Sequence, residues 1–291
     1  MKGIAFAPGH ISAFFEPVYS KQNMDHSGSR GAGISLSLGT VSQISVQSAS
    51  HRSITTYING KLSMAPVTKA ALCYLLGDVP LEITVNTVMD LPVSQGFGMS
   101  AAGALSASLA LADLLAFPRD HAIKAAHYAE IQTHTGLGDV IASSVGGIEI
   151  RRKAGLPPWG MLEHIPGNYD IVLCVIGKKV ETKKILTDSA KVREIASYGR
   201  YCTKKLLEKP SVENLFSLGL EFTRKIGIAD PSVLQAILEA NKHGMASMCM
   251  LGNSVYAMGD TPALNTLLSQ YGKTFCCTVD QEGARVLDEK K

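Results

Sequence analysis

Short stretches that alternate apolar and polar residues fill most of the first ninety positions, and longer apolar stretches with helical spacing replace them from residue 100 onward. The alternation predicts half-buried strands over Thr40–Gln47, Ser53–Ile58 and Leu81–Val88. Two further β-type runs are Gly3–Ala7, stopped by Pro8-Gly9, and Gly33–Leu38. Helices are expected over Val67–Leu76, Ser100–Leu115 and Asp120–Gln132, the last with Pro118 just ahead of its start. The Gly136-Leu137-Gly138 break restarts a short helix at Asp139–Ser144, and Gly147–Arg152 follows as a strand. Gly155–Trp159, with two prolines, is the best candidate boundary, dividing the chain into 1–157 and 158–291. Beyond it come a buried strand at Tyr169–Ile176 and helices at Lys191–Leu207, Val212–Lys225 and Ser232–Ala240. A helix at Pro262–Leu268 lies between strands at Asn253–Met258 and Lys273–Val279. The charged tail from Glu282 is expected to fray. This mixture predicts an α+β protein in two lobes.

Composition narrows the class. At 46% hydrophobic and 18% charged, the 291 residues have ample material for a core, which excludes a disordered chain. Lys plus Arg number 28 and Asp plus Glu 25, so no overall field calls for nucleic acid. Between Lys178 and Lys209 there are ten basic against four acidic residues. That excess is either a solvated helical face or an aid in attracting an anionic nucleotide. The longest apolar stretch, Ala101–Phe117, is interrupted by Gly103, Ser106, Ser108 and Asp113, so no membrane span is expected and a cytoplasmic location is. The six cysteines form no Cys-x-x-Cys pair, and Cys73, Cys174, Cys249 and Cys276 sit in apolar runs as buried free thiols do. His127 and His134 lie two helical turns apart, whereas a helical zinc pair is spaced by about four residues.

The chemistry concentrates in Pro92-Val93-Ser94-Gln95-Gly96-Phe97-Gly98-Met99-Ser100-Ala101-Ala102. This Gly-rich turn joins a strand to an apolar helix, an arrangement that brings backbone amides and a helix N-terminus to a phosphate. Ser100, Ala101 and Ala102 keep bulk away from that surface, and the Ser100 hydroxyl can reach a nucleotide-bound Mg²⁺. Gly272-Lys273-Thr274 imitates the end of another phosphate motif, but Leu267 replaces its first glycine and it leads from helix into strand, the reverse of what phosphate cradling needs.

The Pro92–Ala102 segment resembles the ATP-binding loop of the GHMP kinases, Pro-x-x-x-Gly-Leu-Gly-Ser-Ser-Ala-Ala, with Phe97 for Leu and Met99 for the first Ser. An N-terminal motif at Ala7–Glu16 and a C-terminal one at Ser247–Asn253 fall in the family's order, so the resemblance spans nearly the whole chain. His10 stands where many members carry Lys. With Gly28-Ser29-Arg30-Gly31-Ala32-Gly33, His134–Val140 and the glycine-poor C-terminal motif, it makes the chain most similar to the archaeal pantoate kinase branch. The resemblance implies a two-lobed GHMP kinase fold, with a ribosomal-protein-like N-terminal lobe and an α/β C-terminal lobe. It implies an activity as well, the phosphorylation of (R)-pantoate to 4-phosphopantoate with ATP and Mg²⁺ in archaeal coenzyme A synthesis. Homodimers are common among such kinases and one is expected here.

Residue roles follow partly from chemistry and partly from the resemblance. Transfer to an alcohol needs a carboxylate that orients or deprotonates the hydroxyl. Asp139 taken alone is equally an ordinary helix N-terminal Asp, and the resemblance assigns it catalysis. Glu130, near a helix C-terminus where a carboxylate is locally unfavourable, is a surface residue or an Mg²⁺ ligand, and the resemblance favours the ligand together with Ser100. Pantoate is a small carboxylate with two hydroxyls. Arg30 and Arg151 can each grip its carboxylate, with surface ion pairing the alternative for both. Ser29, His10 and His127 are candidate donors to its hydroxyls, and a structural role is as good a reading for either histidine. The rivals are another kinase of the superfamily, acting on mevalonate or homoserine, and a non-catalytic ligand sensor on the same fold.

Overall fold

The structure is a computed structural model and describes residues 1–180 and 182–288. Its first sheet contains β1 (Lys2–Val18), β2 (Gly28–Ser48), β3 (Ser53–Ile58), β4 (Lys61–Leu62), β5 (Leu81–Met89), β6 (Ile148–Lys153), β7 (Met161–Ile165) and, from the far end of the chain, β12 (Arg285–Val286). A second, antiparallel sheet holds β8 (Asp170–Val175), β9 (Gly244–Met248), β10 (Ser254–Gly259) and β11 (Lys273–Thr278) in the order β11-β8-β10-β9. The helices are α1 (Pro66–Leu76), α2 (Met99–Leu114), α3 (Arg119–Thr133), α4 (Asp139–Val145), α5 (Thr182–Thr187), α6 (Ser189–Glu208), α7 (Val212–Ile226), α8 (Pro231–Ala240) and α9 (Thr261–Leu268).

The expected α+β architecture in two lobes is what forms. The N-terminal strands, however, are longer than their local pattern implies. Pro8-Gly9 does not end β1. A register shift between Pro8 and Gly9 absorbs the missing donor, and the strand continues to Val18 against β2. The runs expected at Gly33–Leu38 and Thr40–Gln47 are likewise parts of one strand, β2. Its first half pairs with β6 (Gly31↔Arg151, Gly33↔Glu149) and its second half with β5. The expected change of lobe at 157/158 falls before β7, whose residues still belong to the first sheet through β6. The tail from Glu282 does not simply fray. Ala284 donates to the Ser143 carbonyl at 2.8 Å and β12 pairs with β1.

Helices α1, α2 and α3 pack on one another, and α2 lies on β1 and β2. The apolar face of α2 is nearly continuous, with Ala101, Ala102, Ala104, Leu105, Leu109 and Leu111 all buried. Methyl-sized residues let this helix approach the sheet closely. The other half of the molecule rests on the end of β1. Phe14 and Phe15 sit against Phe222 of α7, and Gly199 of α6 meets the Phe15 carbonyl, which a Cβ there would approach to 2.0 Å. One strand therefore supplies core to both lobes. All six cysteines are free. Cys174 and Cys249 are buried as expected, but Cys276 is exposed and Cys73 only half-buried. Alternation along β11 puts Cys277 inward in place of Cys276. No helix among the described residues is long and apolar enough to cross a membrane.

Candidate active site

The turn between β5 and α2 is held in the left-handed region at Ser94 (φ 63°), Gly96 (φ 77°) and Gly98 (φ 61°). Gly96 passes so close to the Cys249 and Met250 carbonyls that a Cβ would lie 2.8 Å from each. Gly98 sits over the His10 backbone, whose amide donates to the Phe97 carbonyl at 2.9 Å. The three motif segments thus clasp one another, and they open the first turn of α2, where backbone amides lack intrahelical partners, toward a cleft of about 500 Å³. Gly96, Phe97, Gly98, Met99, Ser100 and Ala101 all line this cleft, whereas Pro92 and Ala102 do not.

The opposite wall is built by the end of α3 and the start of α4. His134 adopts a left-handed conformation that ends α3, and the chain turns through Gly136-Leu137-Gly138 into α4. This reversal brings the Glu130 and Asp139 carboxylates together beside Gly136. A Cβ there would lie 2.2 Å from Glu130 Oε1 and 2.9 Å from Asp139 Oδ2. Glu130 is 1% exposed, and its carboxyl lies against that of Asp139 and the Val140 amide, with no hydrogen bond of good geometry to either oxygen. Burial first, and then the charge of Asp139, push its carboxyl well above the usual range. A buried carboxyl held in its neutral form beside the glycine-rich loop gains a partner for its charge when a hard cation binds, and so fits such a cation.

Asp139 behaves oppositely. Burial pushes its carboxyl up, but the hydrogen bond and charge of His10, followed by the Arg151 charge, outweigh this and hold it below its ordinary value. Its Oδ1 lies 2.7 Å from His10 Nδ1, and the other ring nitrogen of His10 lies 3.0 Å from Glu149 Oε1. Burial alone would lower the His10 pKa. The Glu149 charge and the hydrogen bonds to both carboxylates reverse this and raise it. Arg151 Nη1 in turn grips Glu149, and its Nη2 donates to Ser12 Oγ at 3.1 Å. Glycine makes the cluster possible, since a Cβ on Gly33 would lie 2.3 Å from His10 Nε2.

The expected substrate donors separate. Ser29 lines the cleft. His10 does not. Both ring nitrogens are engaged by carboxylates, which leaves no donor for a substrate hydroxyl. His127 is also outside the lining; its Nε2 donates to the Ser27 carbonyl at 3.0 Å, and burial lowers its pKa to about 4. Arg30 is turned away, donating to the Arg152 carbonyl at 2.9 Å and to Glu16 Oε2 at 3.0 Å. Arg151 borders a small recess with Ser29 and Gly138 beside the cleft, and its buried Nε has no partner. Ser12, Phe15, Thr135, Lys179 and Leu186 line the cleft without having been singled out as site residues, and neither was Glu149 behind it.

A phosphate loop facing two carboxylates, on this two-lobed fold, defines a small-molecule kinase site, and residues 65–147 match the GHMP kinases N terminal domain. The chain is 31% identical to the pantoate kinase of Methanocaldococcus jannaschii over 94% of its own length and 99% of that protein's. It is 34% identical to the pantoate kinase of Thermococcus kodakarensis over 87% of its length and 86% of that protein's. A solved phosphotransferase related to the coenzyme A biosynthesis pathway superposes with a TM-score of 0.89 at 31% identity, covering 98% of both chains. The chain belongs to the pantoate kinase family within the GHMP kinases.

Proposed function

We propose that this cleft phosphorylates the 4-hydroxyl of (R)-pantoate with ATP, and that Asp139 is its catalytic carboxylate. The observation that carries the reading is the pair of unlike carboxylates beside Gly136. Glu130 is buried with its carboxyl pushed up, while Asp139 is held ionised by His10 and its side chain is 24% exposed. Opposed environments assign opposed tasks.

The backbone amides of the loop and of the first turn of α2 would take the nucleotide phosphates. Ser100 and Glu130 would hold Mg²⁺, which when bound neutralises charge on the transferring phosphate. Asp139 orients the pantoate 4-hydroxyl and accepts its proton as that oxygen forms a bond to the γ-phosphorus. The bond from phosphorus to the β,γ-bridging oxygen breaks, and ADP departs with the electron pair. His10 is a positioning residue, fixing one oxygen of Asp139 so that the other faces the cleft. Ser29 on the cleft wall would serve the carboxylate end of pantoate, with the Arg151 charge packed behind it, and Phe15 and Leu137 would offer apolar surface to its two methyl groups.

Initial rates with ATP on pantoate, mevalonate, homoserine and shikimate test this directly. Pantoate should be turned over far faster than the other three. Preferred turnover of mevalonate or homoserine, or turnover of none, would overturn it.

A further inference from the structure

The segment that follows β8 carries the first residues of the basic stretch, and it is fastened to the phosphate loop from two directions. Val180 donates its amide to the Ser94 carbonyl at 3.1 Å, and Gln95 Nε2 donates to the Gly177 carbonyl at 3.1 Å. From the C-terminal motif, Asn253 Nδ2 donates to the Lys178 carbonyl at 3.0 Å, while the Asn253 carbonyl receives the amides of Ile176 and Gly177. Gly177 fits so closely that a Cβ would lie 2.7 Å from the Asn253 side chain. The backbone around Lys179 is therefore fixed relative to the loop.

Among the described residues the cleft lining carries three charged side chains, and Lys179 is the one cation beside Glu130 and Asp139. Farther along the basic stretch, three of the cations are already paired: Lys191 with Glu194, Arg200 with Glu16 and Lys205 with Glu208. The ionised Asp139 repels a polyphosphate, and one divalent ion does not cancel the whole charge of a nucleoside triphosphate.

We infer that Lys179 is a nucleotide-binding residue of this cleft, whose ammonium contacts the phosphate chain of ATP from the side opposite the carboxylates; the inference rests on the kinase reading above. The backbone bonds of its neighbours to Ser94, Gln95 and Asn253 hold it on the phosphate-loop side, away from the Ser29 wall proposed for the acceptor's carboxylate. The flexible stem lets a point charge follow the phosphates through the reaction.

Calorimetric titration of wild type, Lys179→Met and Lys179→Arg with a non-hydrolysable ATP analogue and Mg²⁺, and separately with adenosine, tests this. Lys179→Met should bind the analogue about tenfold more weakly, Lys179→Arg should recover most of that loss, and adenosine should bind all three alike. The KM for ATP should rise in Lys179→Met while the KM for pantoate stays constant. Unchanged analogue binding in Lys179→Met, or a rise confined to the KM for pantoate, would overturn the inference and leave the kinase reading intact. A wild-type protein that bound no analogue would overturn both.

Discussion

His10 Nδ1 lies 2.7 Å from Asp139 Oδ1, and the opposite edge of the same buried ring lies 3.0 Å from Glu149 Oε1. A carboxylate at each ring nitrogen favours the protonated imidazole and raises its pKa against burial, while the His10 hydrogen bond and charge hold Asp139 below its ordinary value. If Asp139 is the proton acceptor, Asp139→Asn should keep ATP and pantoate binding while turnover falls by about 100- to 10,000-fold. A helix-start Asp with no chemical role predicts near-normal turnover, because Asn serves that position almost as well. Turnover measured beside calorimetric binding of both substrates distinguishes the two.

Replacing the ring makes a second, directional prediction. In His10→Gln the carboxyl of Asp139 loses the hydrogen bond and charge that hold it down, so its pKa rises. Activity that needs ionised Asp139 should then disappear at higher pH as the solution is acidified, moving the acid limb of kcat/KM for pantoate upward. Thermal unfolding must be followed as well, because leaving buried charges without their partner costs about 3–5 kcal/mol. An acid limb in the same place as wild type would remove His10 from this role.

The phosphate loop was legible in the sequence because it is local, with strand, turn and helix contiguous between Leu81 and Leu114. Glu130 and Asp139 were legible for the same reason, since one chain reversal brings them together. Glu149 was not. In Ile148-Glu149-Ile150-Arg151 the alternation reads as a strand with one polar, solvated face, yet Glu149 and Arg151 are both buried. What buries them is the register of β6 on β2, which sets Glu149 opposite Gly33 and Arg151 opposite Gly31. In that segment, which carries part of the resemblance to the pantoate kinase branch, Gly31 and Gly33 make room for the close passage of β1 and for His10. Long-range pairing decides such roles, and no local pattern records it.

Ser100 separates metal binding from helix capping. Gly98 is the N-cap of α2 and no side-chain hydrogen bond caps the helix, so Ser100→Ala should change stability by no more than about 0.5 kcal/mol. If its hydroxyl holds Mg²⁺, turnover should drop by about tenfold or more and the Mg²⁺ concentration for half-maximal rate should rise. Wild-type kinetics across a magnesium titration would refute the assignment.

His127 gives a stability prediction independent of catalysis. Its pKa is lowered from 6.5 to about 4 by burial, so between those values the unfolded chain binds the proton and the folded one does not. Stability should therefore be full above pH 6.5 and decline as pH falls toward 4, by at most about 1.4 kcal/mol per pH unit and roughly 3 kcal/mol in all. His127→Gln retains an amide donor for the Ser27 carbonyl and should flatten this part of the curve. Denaturant unfolding at a series of pH values measures it, and an equal slope in both proteins would show that other groups cause the acid loss.

Gly136 offers the most selective test of the carboxylate pair, because its backbone is not in the left-handed region that favours glycine. The obstacle is the methyl group itself. It would press on the carboxylate pair, 2.2 Å from Glu130 Oε1 and 2.9 Å from Asp139 Oδ2, so one or both must move. Were Gly136 only a flexible link between α3 and α4, Gly136→Ala would alter stability by about 1 kcal/mol or less and leave the kinetics alone. If the carboxylate pair is where the cation and the acceptor hydroxyl meet, the folded variant should lose turnover by about 100-fold or more and require more Mg²⁺. It should still bind adenosine like wild type, since the loop and α2 are untouched. Circular dichroism and melting temperature establish that the variant is folded, and wild-type turnover in such a protein would rule out the carboxylate pair as the reaction centre.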